Sequence, residues 1–369
     1  MKEKAKENKQ FMILSVIGII LVVICHLSGE MNRKLTFFPS SSFFMALFIF
    51  ISGYFYKEKK EEQLGKYILY KFKKLMIPFF IINLIYGVIV NILKHYQIVQ
   101  YGETINFYTL FVQPFINNNQ FVLNFPAWFV PILFVTTCAY AIIHKSSKKV
   151  KFLNDEILLI VFIILQAIVV YYQDFAKAQN VITIIWKVLF FLPFFQIGHL
   201  YRIKWQEKEN QLPTIPYLLL LMIINYCFGK VFGDLNYDMH EFSGFQSQYM
   251  FLPLCTSMTG ILFYTRIARI LSKWLGENKI INDISNHTSS IMTHHLFAAF
   301  ILNIIFYVMT LKWNFPYFDI EKFQKGWIYV CEIPGWDMVI QLGYVILGII
   351  VPLLFHKIYI KLYKCRKMM

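Results

Sequence analysis

Three places in this 369-residue sequence set ionisable side chains among long apolar runs. His26 closes the run Ile-Ile-Leu-Val-Val-Ile-Cys-His, His294 and His295 stand side by side in Ser-Ser-Ile-Met-Thr-His-His-Leu-Phe, and Lys187 follows Trp186 in a third run. A charge at the centre of a membrane helix costs about 2.5–3.5 kcal/mol on insertion scales, so such groups are candidates for function by default. A neutral imidazole can take a proton from a hydroxyl near neutral pH and return it to a leaving group, which acyl transfer and proton transfer both require.

Each candidate has a plainer reading. A histidine at a helix end also hydrogen-bonds a neighbour and glues membrane helices together. Adjacent residues on a helix point about 100° apart, so at most one of His294 and His295 faces a given cavity. Lys187 can snorkel outward along Trp186. His95, His144, His199, His240, His287 and His356 fall at the ends of apolar runs or between them and read as structural. With no His-Glu-x-x-His and no Cys-x-x-Cys pair, no metal is expected.

The elements that must position these groups follow from composition. Hydrophobic residues make up 57% of the chain and charged residues 15%, against about 25% charged in soluble domains. Apolar runs of membrane length recur at 11–27, 36–55, 75–93, 126–143, 156–172, 181–201, 215–232, 249–267, 290–310 and 337–360, each near the ~20 residues that a spanning helix needs. The expected fold is an all-α integral membrane protein of about ten transmembrane helices, one transmembrane domain over 1–369 with no added soluble domain. The first run is too long for a cleaved signal and lacks a small-x-small site after it, so it should stay as an anchor. The six cysteines lie mostly inside apolar runs and behave as small hydrophobes.

A formal charge of +15 would point to nucleic acid in a soluble chain. Here its placement decides otherwise. With the N-terminus inside, 27 of the 36 Lys and Arg fall on the inner side and 7 on the outer, with Lys94 and Lys187 within spans. Short basic segments stay cytoplasmic, so both termini are expected in the cytoplasm of a plasma-membrane protein, with no nucleic-acid partner. The outer connections near 95–125, 233–248 and 311–336 carry Tyr, Phe, Trp, Asn and Gln. Such residues can bind sugars, by ring stacking and amide hydrogen bonds, and they also populate membrane interfaces.

Six elements in order then resemble a known family: the first-run His26, Phe-Ile-Ser-Gly-Tyr (50–54), Tyr-Lys-Phe-Lys-Lys-Leu-Met-Ile-Pro (70–78), Ala-Trp-Phe-Val-Pro-Ile-Leu-Phe (127–134), Leu-Pro-Phe-Phe-Gln-Ile-Gly (192–198) and Ser-Ile-Met-Thr-His-His (290–295). Together they are similar to the acyltransferase-3 family of membrane O-acetyltransferases, nearest to its fucose 4-O-acetylase-like branch. The resemblance implies catalytic roles for His26 and His295. It implies acetyl-CoA as co-substrate, with Lys71 and Lys74 where the family has Arg, and Ser52 and Tyr54 in the family's Ser-Gly-Phe turn. It also places Trp128 in an aromatic substrate element, and Lys187 is a further substrate-binding candidate. Where the family carries Arg or Lys eleven residues before the histidine, this chain has Ser15, so either Lys9 or an inner-loop lysine supplies that charge or this branch handles acyl-CoA differently. Arg266 and Arg269 are further candidates for the CoA phosphates.

The resulting expectation is transfer of an acetyl group from cytoplasmic acetyl-CoA to a hydroxyl of an extracytoplasmic glycan, a surface polysaccharide or lipid-linked sugar. The rival is a transporter or flippase for a lipid-linked glycan or small solute. The runs lack the deep carboxylates that a proton-coupled carrier usually shows.

Overall fold

A computed structural model describes residues 2–28, 38–116, 121–178 and 181–368. Among the described residues helices dominate and no strand forms; isolated bridges pair Asp238 with Ser243 and Phe318 with Cys331. The main helices are α1 (Lys2–Leu27), α2 (Phe44–Tyr54), α3 (Leu64–Lys71), α4 (Ile77–His95), α5 (Phe129–Ser147), α6 (Asp155–Tyr171), α7 (Val181–Leu200), α8 (Thr214–Phe232), α9 (Leu252–Leu275), α10 (Thr288–Trp313) and α11 (Asp337–Met368). A π-helical turn, Phe72–Met76, joins α3 to α4.

Among the described residues each apolar run overlaps a helix, and seven helical stretches are long and apolar enough to cross a membrane. The run at 36–55 is the exception in length. Its α-helix has 11 residues, about 16 Å at 1.5 Å per residue, roughly half the hydrocarbon thickness. The preceding chain turns instead: Ser42 Oγ donates to Pro39 O, and the Ser42 carbonyl is taken by Ser257 Oγ on α9 at 2.7 Å. Arg33 and Lys34, counted on the outer side above, lie outside the described residues.

Burial sorts the helices. α7 is buried almost continuously from Thr183 to Leu200 and forms the centre of the bundle, as expected of a helix apolar on every face. α8 buries little beyond Leu221 and Asn225 and exposes Ile215, Leu219, Leu220 and Ile223. Such an apolar exposed face is stable against lipid and not against water.

Close helix contact depends on two glycines. A Cβ on Gly53 of α2 would overlap the Phe195 carbonyl of α7, and one on Gly198 of α7 would overlap the Phe50 carbonyl of α2. The two backbones therefore touch directly, which only small residues permit. Phe11 of α1 stacks on Tyr54 at this crossing, with ring centroids 3.4 Å apart.

Ion pairs gather the basic connections at one end of the bundle. Lys9 pairs with Glu277 at 2.5 Å, Lys148 with Glu58 at 2.8 Å, Lys357 with Asp283 at 2.8 Å, and Lys204 with Glu156. At the other end the aromatic loops lock together, through Gln100 and Gln324, Gln173 and Ser247, and Ser41 and Asn236.

Candidate active site

His26 occupies the last turn of α1, half-buried, while His295 lies fully buried on α10. Their rings sit 5.1 Å apart, with His295 Nε2 3.3 Å from His26 Nδ1. Backbone carbonyls fix how these rings carry their hydrogens. His26 Nδ1 lies 2.9 Å from Val22 O, and His295 Nδ1 lies 2.9 Å from Ile291 O. A carbonyl can only accept, so each Nδ1 carries hydrogen. The Nε2 lone pair of neutral His295 then receives the Nδ1–H of His26, shared with Val22 O. His26 keeps its own Nε2 for the cavity that it lines. The arrangement orients one imidazole by the other, as a carboxylate orients the base of a hydrolase triad.

The helices meet closely here because α11 presents Gly348, whose Cβ would press on Leu27 and Val23 and lie 3.5 Å from His295 Cβ. His294 points elsewhere, with Nδ1 2.7 Å from the Tyr86 hydroxyl.

The cavity against His26 has a volume of about 380 Å³. Its walls include Phe44 and Met45 of α2, Phe125, Trp128, Asn236, Asp238 and His240. It therefore combines aromatic planes with amide and carboxylate groups. The loop that forms one wall is fastened at several points. Asp238 Oδ1 accepts from the amides of His240 and Glu241 at 2.8 and 3.0 Å, Asp238 and Ser243 exchange backbone hydrogen bonds, and Ser41 donates to Asn236 at 2.5 Å. Tyr237, on the same loop, is 3.3 Å from Thr256 Oγ1; burial, offset in part by that hydrogen bond, pushes its pKa up to about 12. Its phenol stays protonated at neutral pH.

Trp128 thus lies in the cavity wall. Lys187 does not: it is fully buried behind the wall, donates to the His240 carbonyl, and holds its ammonium 5.0 Å over the Trp128 ring. It braces the loop and the aromatic plane rather than facing the cavity.

The residues expected to hold the donor separate into two groups. Lys74 lines a small cavity of about 40 Å³ with Pro78, Ala127, Ser289 and Thr293, the last two on the helix of His295. Lys71 Nζ lies 5.6 Å from the Tyr67 ring centroid, beside an open, net basic cavity of about 400 Å³ lined by Lys59, Lys60, Lys66, Tyr67 and Tyr70 together with Glu62 and Gln63. Ser52 and Tyr54 line neither. Ser52 Oγ returns to Phe48 O, and Tyr54 is buried under Phe11 with its hydroxyl on Gln206.

Ser15 bonds its own helix at Phe11 O, and Lys9 is paired with Glu277. Arg266, considered for the donor phosphates, is committed elsewhere. Its buried guanidinium binds Glu209 at 2.5 and 2.8 Å and the Leu212 carbonyl, and it packs on Tyr217. Arg269 donates to Asn210 O.

Sequence reading did not single out Asn236 and Asp238, and it read His240 as structural. Their signal was the amide and aromatic content of the loop at 233–248, but which loop residues turn inward depends on where the chain is fastened.

A histidine pair in a helical membrane bundle, one member lining a cavity, suits acyl transfer. A family model described as an acyltransferase domain matches residues 13–357, and the chain belongs to this acyltransferase-3 family. It is a multi-pass membrane acyltransferase. No curated protein and no solved structure matches the chain.

Proposed function

We propose that this acyltransferase moves an acetyl group from cytoplasmic acetyl-CoA to a hydroxyl of an extracytoplasmic glycan. The observation that carries the reading is His26: an imidazole with its Nδ1 engaged by Val22 O and His295, lining a cavity walled by Trp128, Phe125, Asn236 and Asp238. A sugar ring would stack on the aromatic planes, and its hydroxyls would bond the amide and carboxylate.

In the proposed reaction His26 Nε2 takes the acceptor hydroxyl proton as that oxygen attacks the thioester carbonyl. The C–S bond breaks, and the thiolate leaves with the proton returned by His26. His295, whose Nε2 faces His26, accepts the Nδ1–H and steadies the imidazolium that forms.

The donor side is supported by charge and location. CoA phosphates would rest on Lys71 and the basic cavity beside it, and the pantetheine arm would pass Lys74 and Thr293 towards His295. Lysine provides charge here without the bidentate fork of arginine.

The test is mass analysis of surface glycans from cells that carry wild-type protein, His26→Ala or His295→Ala. Loss of acetyl groups in both variants, at wild-type membrane abundance, is the expected outcome. Unchanged acetylation in both would overturn the reading.

A further inference from the structure

Four residues far apart in sequence meet where α5, α6 and α7 approach the segment before α3. Glu58, His144, Asp155 and His199 each present one potential ligand atom, and these atoms all lie within 4.8 Å of one another. We propose that they form a closed, structural divalent-metal site of the zinc class.

The donor set is two imidazoles and two carboxylates, a borderline-soft N₂O₂ combination that suits Zn²⁺. His144 Nε2 is 3.2 Å from Asp155 Oδ1, and His199 Nε2 is 3.1 Å from Glu58 Oε1. Tetrahedral Zn²⁺ with bonds of about 2.0–2.1 Å sets its ligand atoms about 3.3 Å apart. Two carboxylates also cancel the charge of a divalent ion, with His144 and His199 buried and Glu58 and Asp155 half-buried.

A further observation points to a cation. Glu61, itself buried, sits 2.6 Å behind His144 Nδ1, the carboxylate–histidine arrangement that orients a metal-bound imidazole. His199 is fully buried and presents its Nε2 to the cluster. Lys148 does not occupy the cluster: it binds the other oxygens, Glu58 Oε2 at 2.8 Å and Glu61 Oε2 at 3.1 Å. Four protein ligands would leave no open coordination position, so the ion would clamp the basic segment to three helices rather than join the chemistry.

The experiment uses the full chain in detergent, stripped with chelator, loaded with Zn²⁺ or Co²⁺ and desalted. Expected are about one equivalent of Zn²⁺ retained, an unfolding midpoint raised by a few degrees, and the intense visible bands of four-coordinate Co²⁺. His199→Ala and Asp155→Asn should lose retention, while Lys148→Ala, which removes only a neighbour, should keep it. Wild-type retention below half an equivalent, six-coordinate Co²⁺, or equal retention by a folded His199→Ala protein would each overturn the site. If the variants do not fold, the wild-type Co²⁺ spectrum and stoichiometry decide it.

Discussion

His26 Nδ1 and His295 Nε2 lie 3.3 Å apart although 269 positions separate them in the chain. With Nδ1 so engaged, His26 acts through Nε2, and the two residues should differ in kind when replaced. We predict that His26→Ala lowers kcat by about 10²–10⁴, the usual worth of a general base. His295→Ala should lower kcat with little change in KM, and His295→Gln should restore part of it, because an amide oxygen can again accept from His26. Steady-state rates with acetyl-CoA and an acceptor sugar would show this; wild-type kcat in His26→Ala would remove His26 from the reaction.

Trp128 forms one wall of the cavity against His26. Replacing it with Ala should raise KM for the acceptor about two- to tenfold, the value of a lost aromatic contact, and leave KM for acetyl-CoA near its wild-type value. A rise confined to the donor KM would place Trp128 on the wrong side of the reaction.

Lys187 holds the His240 carbonyl from behind the same wall. Lys187→Met keeps the apolar stem but leaves that carbonyl without this donor, at a cost of about 1–3 kcal/mol. We expect a lower unfolding midpoint together with weaker acceptor binding, measured by thermal scanning and acceptor KM on the same preparation. An unchanged midpoint would show that the loop does not depend on this contact.

At the crossing of α2 and α7, Gly198→Ala should destabilise by about 1–3 kcal/mol, because its Cβ would meet the Phe50 carbonyl. Gly229→Ala on α8 serves as the control: nothing lies within 4 Å of the added Cβ. It should be neutral or stabilising by up to about 1 kcal/mol. Equal midpoints for the two variants would contradict the close packing.

Lys148 sits outside the spans against Glu58 and Glu61. Its partial burial opposes charge, but hydrogen bonds to the two carboxylates outweigh it and hold its pKa above the ordinary 10.5. A group whose pKa is raised on folding stabilises the fold fully below its unfolded value and loses that contribution as pH rises through the folded one. The midpoint difference between wild type and Lys148→Met should therefore stay constant at neutral pH and shrink above pH 10.5. A difference that grows with alkaline pH would reverse the sign of the coupling.

Much of this was legible in sequence because membrane burial is a one-dimensional signal. Among the described residues seven of the ten apolar runs lie on helices long and apolar enough to span a membrane, since each spanning segment must satisfy its own backbone within hydrocarbon. Run length did not reveal that the described part of 36–55 carries only the short α2 as α-helix, because the chain before it turns, with Ser42 Oγ on Pro39 O, and hydropathy does not register such local hydrogen bonding.

Residue types singled out His26 and the pair His294 and His295, since an imidazole in an apolar run is visible without coordinates, and the family resemblance implied His295 and Trp128. Only the tertiary structure set His295 against His26, turned His294 to Tyr86, and drew Lys187 behind the wall. It likewise committed Arg266 to Glu209 and assembled Glu58, His144, Asp155 and His199. The reason is physical: a helix fixes which residues share its own face, but the partner across a contact depends on which helices pack together. That packing is decided by close approaches such as those at Gly53, Gly198 and Gly348, which no single run of sequence contains.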